Sequence, residues 1–260
     1  MPKPTTLADR MKKHEVEFDH DLPSNTPIIL RLDGHGFSRF TKSFNKPFDQ
    51  RIHNAMMAAS EDLLKYFPQA TIAYTQSDEI TLVFPNGVQS FNNRIQKLAS
   101  LAASYCSVRF GASLRAILGK ANVDSGLEEK IDSAHFDARL FTVPSPEEAL
   151  NCLLWRCRGD AMRNSVNAFA RTMFSNPEMH AKTAKQLVLM MEQQGVKYED
   201  AVPKWAVEGC LIKREQYQHK GTNGKTGEKE TVLRTRLRAE ERGIREFSDE
   251  NLRLVVERFW

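Results

Sequence analysis

Apolar and polar residues alternate along this chain with two periods, and the order in which the periods change lays out the fold. Residues 28–32, Ile-Ile-Leu-Arg-Leu, form a short β-branched and apolar run that predicts a buried strand delivering Asp33 to its end. After a loop rich in Ser, Thr and Lys from Ser38 to Phe48, Asp49 opens a helix in which Ile52, Met56, Ala59 and Leu63 recur at helical spacing, and Pro68 stops it. Two strand-like runs follow, Thr71–Gln76 and Glu79–Phe84. Only Ser77 and Asp78 separate them, which predicts a tight β-hairpin with an acidic tip. Phe91, Ile95, Leu98, Ala102 and Tyr105 mark the buried stripe of a helix over residues 90–110. Gly111, Gly119 and Gly126 break the pattern, so loop and short elements are expected over 111–136, and Asp137–Val143 reads as another strand.

Further along, Ser145, Pro146 and Glu148 make a capped helix start, and a long helix is expected to follow with a bend at Gly159. Asn176-Pro177 breaks it before a helix over 177–194 that ends at Gly195. Two strands, Cys210–Gln218 and Thr231–Arg238, are joined by a loop of Gly, Lys and Thr, and a last helix runs from Ser248 to Phe259. Residues 5–20 read as a charged, helix-prone lead-in that packs by its few apolar residues. Through residue 144 the order is strand, helix, hairpin, helix, strand. This is the βαββαβ arrangement of a ferredoxin-like sheet, with the first strand and the hairpin as central neighbours. The expected class is α+β: a core over 1–144 with an N-terminal helix, and a helical and basic β-hairpin region over 145–260 packed on it.

Composition narrows the possibilities. With 260 residues, 41% hydrophobic and 27% charged, the chain can bury a core and is unlike a disordered sequence. No apolar run approaches the roughly 18 residues of a membrane span. The N-terminus mixes charges without an apolar signal core, so a cytoplasmic protein is expected. Cysteines at 106, 152, 157 and 210 contain no CxxC pair and read as reduced, packed thiols. The net charge of +4 is uneven: residues 204–245 hold 11 Lys and Arg against 6 Asp and Glu. That local excess fits a polyanionic partner or a solvated hairpin equally well.

Chemistry enters at Asp33. A carboxylate at a strand terminus, followed at once by Gly34 and Gly36, suits a metal-bound phosphate, although an ordinary glycine turn has the same sequence. The topology adds a second carboxylate. Asp78 at the hairpin tip approaches Asp33 from the adjacent strand, as two carboxylates must to hold Mg²⁺, and the Gly34 carbonyl is a further oxygen ligand. Two such ions ~3.5 to 4 Å apart serve phosphoryl or nucleotidyl transfer. Lys46, Arg94 and Lys97 supply positive charge for a triphosphate. Arg156, Arg158, Arg163, Asn164 and Asn167 on the long helix, and Lys213, Arg234 and Arg236 in the hairpin, are candidate RNA contacts.

RLDGHGFSRF, KPFDQR and QSDEITLVF, with FNNRIQK, FDARLF and the helix after Trp155, together resemble the tRNA(His) guanylyltransferase family and its like-proteins, RNA polymerases that extend in the 3′-to-5′ direction. The resemblance covers residues 25–213. It implies a domain like the palm of conventional polymerases, with two Mg²⁺ held by the residues matching Asp33, Gly34 and Asp78, and with Glu79 as an adjacent acid in the chemistry. It also implies nucleotide contacts at His35, Gly36, Phe37, Ser38 and Ser77, with Lys46, Asp49, Arg94 and Lys97 around the nucleotides. The implied reaction activates a 5′-monophosphate RNA end with ATP. The 3′-hydroxyl of an incoming nucleotide, GTP in the guanylyltransferase case, then attacks that end. Family members are usually tetramers, dimers of dimers, with tRNA crossing subunits.

One departure matters. Met162 stands where the eukaryotic guanylyltransferases carry the His of a His-Ile-Asn-Asn-Leu-Tyr-Asn motif, so the chain looks more like the bacterial, phage and archaeal branch. Template-dependent repair of tRNA 5′ ends is therefore favoured over untemplated addition of G to tRNA(His). A nucleotide cyclase or dinucleotide synthase, and a noncatalytic RNA-binding protein with a degenerate palm, are the other readings.

Overall fold

Two faces of apolar side chains make β1 (Ile28–Gly34) a fully covered inner strand, and a six-stranded antiparallel sheet is built outward from it. The structure, a computed structural model, describes residues 5–119, 127, 130–222 and 227–260. The strands β2 (Ile72–Gln76), β3 (Glu79–Phe84), β4 (Phe136–Thr142), β5 (Cys210–Thr222) and β6 (Lys229–Glu240) lie in the order β4-β1-β3-β2-β5-β6. The first four have the ferredoxin-like order, with β1 and β3 side by side at the centre. β5 continues the sheet by pairing with β2, from Ile72 opposite Lys213 to Thr75 opposite Cys210. The basic hairpin is therefore hydrogen-bonded into the core sheet.

Strand alternation divides the interior. Ile28, Leu30, Leu32, Ile80, Leu82 and Phe84 face α3 (Gln50–Tyr66) and α4 (Ile95–Leu118), where Met56, Leu63, Leu98, Ala102 and Phe110 complete one core. Ile29, Ile72, Tyr74, Val83 and Leu211 face the other way, against Leu150 and Leu153 of α5 (Pro146–Trp155) and Leu254 and Val255 of the C-terminal helix Asp249–Val256. Each core side chain withdrawn from water contributes about 1.5–3 kcal/mol, which is why register is so strongly set here.

Several elements differ from the sequence reading, each for a local reason. α4 runs through Gly111 to Leu118 because Leu114 and Leu118 extend the same buried stripe, and that packing outweighs the roughly 1 kcal/mol cost of a helical glycine. Phe91, expected on that stripe, precedes the helix and is exposed. Gly126 and the loop residues 223–226 lie outside the described residues. The expected bend at Gly159 is a π-turn over Arg156–Ala161 between α5 and α6 (Met162–Ala170). The helix expected over 177–194 is two pieces, Asn176–Met179 and Ala184–Gln193, because Thr183 and Gln186 form a second capping box. α1 (Leu7–Val16) buries none of its residues, so its few apolar side chains do not pack it onto the core.

The C-terminal end is tied to the sheet from inside. Lys213, expected at an RNA surface, is fully buried, and its ammonium donates to the carbonyls of Leu254 (2.9 Å), Thr71 (3.4 Å) and Glu257. Arg214 donates to the Ala70 carbonyl (2.6 Å) and to that of Leu64, while its own carbonyl accepts from the Trp260 amide (2.8 Å). The four cysteines are free thiols, three of them buried. Among the described residues, no helix is long and apolar enough to cross a membrane.

Candidate active site

Strand register brings the acidic residues together. Asp33, near the end of β1, lies opposite Glu79, the first residue of β3, and opposite Asp137 on β4. Asp78 precedes Glu79 in the hairpin turn, and its carbonyl accepts from the Gly34 amide at 3.0 Å, pinning the turn to the end of β1. Ser77 holds the turn at φ 57°, a left-handed conformation costly for a residue with a side chain, and its hydroxyl donates to Asp78 Oδ1 at 2.8 Å. Burial first, and then the charge of Asp33, push the Asp78 carboxyl above its ordinary range, against the Ser77 hydrogen bond. Two carboxylates at adjacent strand ends, with hydroxyl and carbonyl oxygens beside them, fit a hard divalent cation. Among the described residues no cluster of three His, Cys, Asp or Glu side chains could hold a metal. A cation here would complete its shell from the Gly34 carbonyl, water and phosphate oxygens, as Mg²⁺ does.

The glycines after Asp33 are demanded by space and backbone. A Cβ on Gly34 would meet the Phe37 ring at 2.3 Å, and Gly36, which leads into α2 (Phe37–Phe40), has φ +64°. Phe37 is itself locked among Phe40, Phe110 and Phe136 with centroid separations of 5.0–5.4 Å. Its ring belongs to the core, which leaves its backbone to a ligand, whereas His35, Gly36 and Ser38 are exposed. Beside this loop opens a cleft of about 250 Å³ lined by Phe37, Ser38, Lys46, Asp49, Ser77 and Asp78. Six of the residues expected to surround a nucleotide thus share one cavity, and Asp78 joins that cavity to the carboxylate pair.

Asp49 is mostly committed to the chain. It caps α3, accepting from the Arg51 amide and the Asn45 amide at 2.8 Å each, and from the Arg51 guanidinium at 3.0 and 2.6 Å. Burial raises its carboxyl, but these bonds outweigh it and the net displacement is downward. Lys46 reaches Thr41 Oγ1 at 3.1 Å from the exposed rim.

Other expected residues stand elsewhere. Arg94 and Lys97 begin α4 at the Phe84 end of the sheet, where Arg94 pairs with Asp19 at 3.2 Å; within this chain they are not brought to Asp33. Arg156 is no surface contact. Its side chain is 7% exposed and ion-pairs with Glu79 and Asp160. Arg163 and Asn164 are exposed on α6, Asn167 is half-buried there, and Arg234 and Arg236 are exposed on β6, Arg236 paired with Glu215 at 2.7 Å.

His53 and Trp205, which sequence reasoning passed over, form the back of the cleft as a stack at 4.2 Å. Burial pushes the His53 imidazole down to about 4, so it is neutral at physiological pH. Its place one position after Ile52 on the amphipathic helix was the available signal. Trp205 had none, since it arrives from a distant segment.

An antiparallel βαββαβ sheet with paired carboxylates at adjacent strand ends, opening on a cleft with a lysine at its rim, defines a palm-type nucleotidyltransferase. A family model described as tRNAHis guanylyltransferase matches residues 8–144, and the chain belongs to that family. An uncharacterised protein of Acanthamoeba polyphaga mimivirus is 32% identical over 228 residues, 80% of this chain and 77% of that protein. A bacterial tRNA(His) guanylyltransferase-like protein in complex with ATP superposes with a TM-score of 0.77 at 26% identity, covering 96% of this chain and 99% of that one. The structure of such a protein in complex with GTP gives 0.69 at 27% identity, covering 92% and 93%.

Proposed function

We propose that this chain adds nucleotides in the 3′-to-5′ direction to tRNA 5′ ends, in a Mg²⁺-dependent reaction, and that its task is 5′-end repair. The observation that carries this reading is the cleft lined by Phe37, Ser38, Lys46, Asp49, Ser77 and Asp78, whose last member feels the charge of Asp33. ATP and GTP in the structural neighbours support both nucleotides as substrates. In the first step an oxygen of the RNA 5′-monophosphate attacks the α-phosphorus of ATP and pyrophosphate leaves, giving a 5′-adenylylated end. In the second, the 3′-hydroxyl of the incoming nucleotide attacks the RNA 5′-phosphorus and AMP leaves. Asp33, Asp78 and the Gly34 carbonyl would hold two Mg²⁺, which supply charge stabilisation to the attacking and leaving oxygens.

The chain's own residues do the placing. The His35–Ser38 backbone and Ser77 floor the nucleotide, Lys46 offers its ammonium to phosphate oxygens, and the neutral His53–Trp205 stack closes the apolar side. Exposed Arg163 and Asn164, half-buried Asn167, and the hairpin arginines Arg234 and Arg236 would receive tRNA phosphates, in a cytoplasmic homotetramer. Met162 at the family's histidine position favours templated repair over addition of G to tRNA(His).

The test is extension of tRNAs lacking one 5′ nucleotide, with the opposing base varied and with Asp33→Ala and Asp78→Ala as controls. Addition that follows the opposing base, and is lost in both variants, is expected. Full activity in the variants, or product from nucleotides without RNA, would overturn the reading.

A further inference from the structure

Glu79 lies directly across from Asp33, yet it is not free to act as Asp33 and Asp78 can. Its carboxylate is ion-paired to Arg156, whose side chain is 7% exposed and which also pairs with Asp160. Asp160 in turn accepts from Arg163 at 2.6 Å, on the exposed side of α6. Arg156 and Asp160 both lie in the π-turn over Arg156–Ala161 that joins α5 to α6, and such turns often mark functional sites. A guanidinium buried this deeply is retained at a desolvation cost that an apolar residue would avoid. Around the site, Glu79 and Asp160 are neutralised by Arg156 and Arg163, and Asp137 lies 3.6 Å from Arg139. Among the described residues Asp33 and Asp78 stand in no ion pair, and the Arg156 charge reaches Asp33 only at longer range.

We propose that Arg156 is a positioning residue that withdraws Glu79 from the metal centre, so that Asp33 and Asp78 set its charge. The inference rests on the metal-dependent reading above. Glu79 then acts through its fixed, salt-bridged position, and a cation bound at the site stays exchangeable with the one that arrives on the nucleotide. Lys at 156 preserves the cation and Met or Gln removes it.

The test uses Mn²⁺ as the probe, titrated into the full chain without nucleotide and followed by the loss of the free-ion electron paramagnetic resonance signal. Arg156→Met releases Glu79 and removes a cation, so Mn²⁺ is expected to bind about tenfold tighter than in the wild type. Arg156→Lys should bind as the wild type does. In a Glu79→Gln background, Arg156→Met should tighten binding clearly less than in the wild type, the remainder being the loss of a cation that Asp33 feels directly. Should Arg156→Met fail to fold, Arg156→Gln breaks both ion pairs while keeping a polar side chain in the buried position, and is expected to show the same tightening. Saturable wild-type binding that neither variant alters, or an equal effect in the Glu79→Gln background, would overturn this inference alone. Absence of saturable Mn²⁺ binding in the wild type would overturn the metal reading beneath it.

Discussion

Asp49 is the residue whose replacement separates scaffold from ligand contact most cleanly. Its two carboxylate oxygens receive four bonds, from the Asn45 amide, the Arg51 amide and two Arg51 guanidinium nitrogens. Asp49→Ala removes an N-cap worth about 1 kcal/mol. It also leaves the Asn45 amide without its acceptor, at about 1–3 kcal/mol if the group is kept from water. The ion pair with the part-exposed Arg51 adds no more than about 1 kcal/mol. The expected total is about 3 kcal/mol, or roughly 6–12 °C in Tm for a chain of this size. Asp49→Asn keeps one capping oxygen and should cost about 1 kcal/mol. Thermal melts of the three proteins at pH 7.5, with ATP binding by calorimetry well below each Tm, make the assay. Because the folded carboxyl titrates below its unfolded range, its contribution is present above about pH 4 and is lost as pH falls through the depressed value, so the gap to Asp49→Asn should narrow steadily as the pH is lowered below about 4. If Asp49→Asn melted with Asp49→Ala, the capping account would fail. If it melted with the wild type but bound no ATP, the carboxylate would be a ligand and the bracing role would be refuted.

Two further outcomes follow from displaced ionisations. The Asp78 carboxyl is held above its ordinary range, so its charge opposes folding once pH exceeds that raised value. Asp78→Asn should therefore raise Tm in EDTA at pH 7.5 and lose that advantage near pH 3, while Mg²⁺ should stabilise the wild type and not the variant; a lower Tm at pH 7.5 would contradict this. His53, neutral down to about pH 4 in the folded chain, protonates near pH 6.5 when unfolded, so stability should decline as pH falls between those values. His53→Phe should flatten that decline in urea titrations, and an unchanged slope would show that another group causes it.

The βαββαβ order was legible because each element carries its own period, and because Ser77-Asp78 leaves no room for anything but a two-residue turn. Asp33 and Asp78 could be paired from topology alone, since strand neighbours fix where strand ends meet. What periodicity does not carry is the partner of a buried charge. Lys213 reads as one basic residue among many, yet it ends against helix carbonyls 41 and 44 positions away. Arg156 belongs to a helix whose face cannot be assigned once a π-turn intervenes. Arg94 and Lys97 bring charge that a triphosphate needs, but residue type does not tell at which end of the sheet their helix begins. Gly111 signals a break only locally, whereas the buried stripe that carries α4 through it continues to Leu118.

The way β5 leaves the sheet has a mechanical consequence. Its first four residues pair with β2, and beyond Arg214, which bridges to Phe259, the eight to Thr222 run on with β6 as their strand partner, roughly 26 Å at strand rise. The root of this arm is gripped from three sides, by the Leu64 carbonyl at the C-terminal end of α3 through Arg214, by the final helix through Lys213, and by the Trp260 amide. A beam clamped at one end turns a load at its tip into torque at the root rather than absorbing it. Here the root adjoins β2, and the other end of β2 is the turn that carries Asp78. Whatever docks along the arginine edge thus gains leverage on the hairpin that aims one of the two free carboxylates.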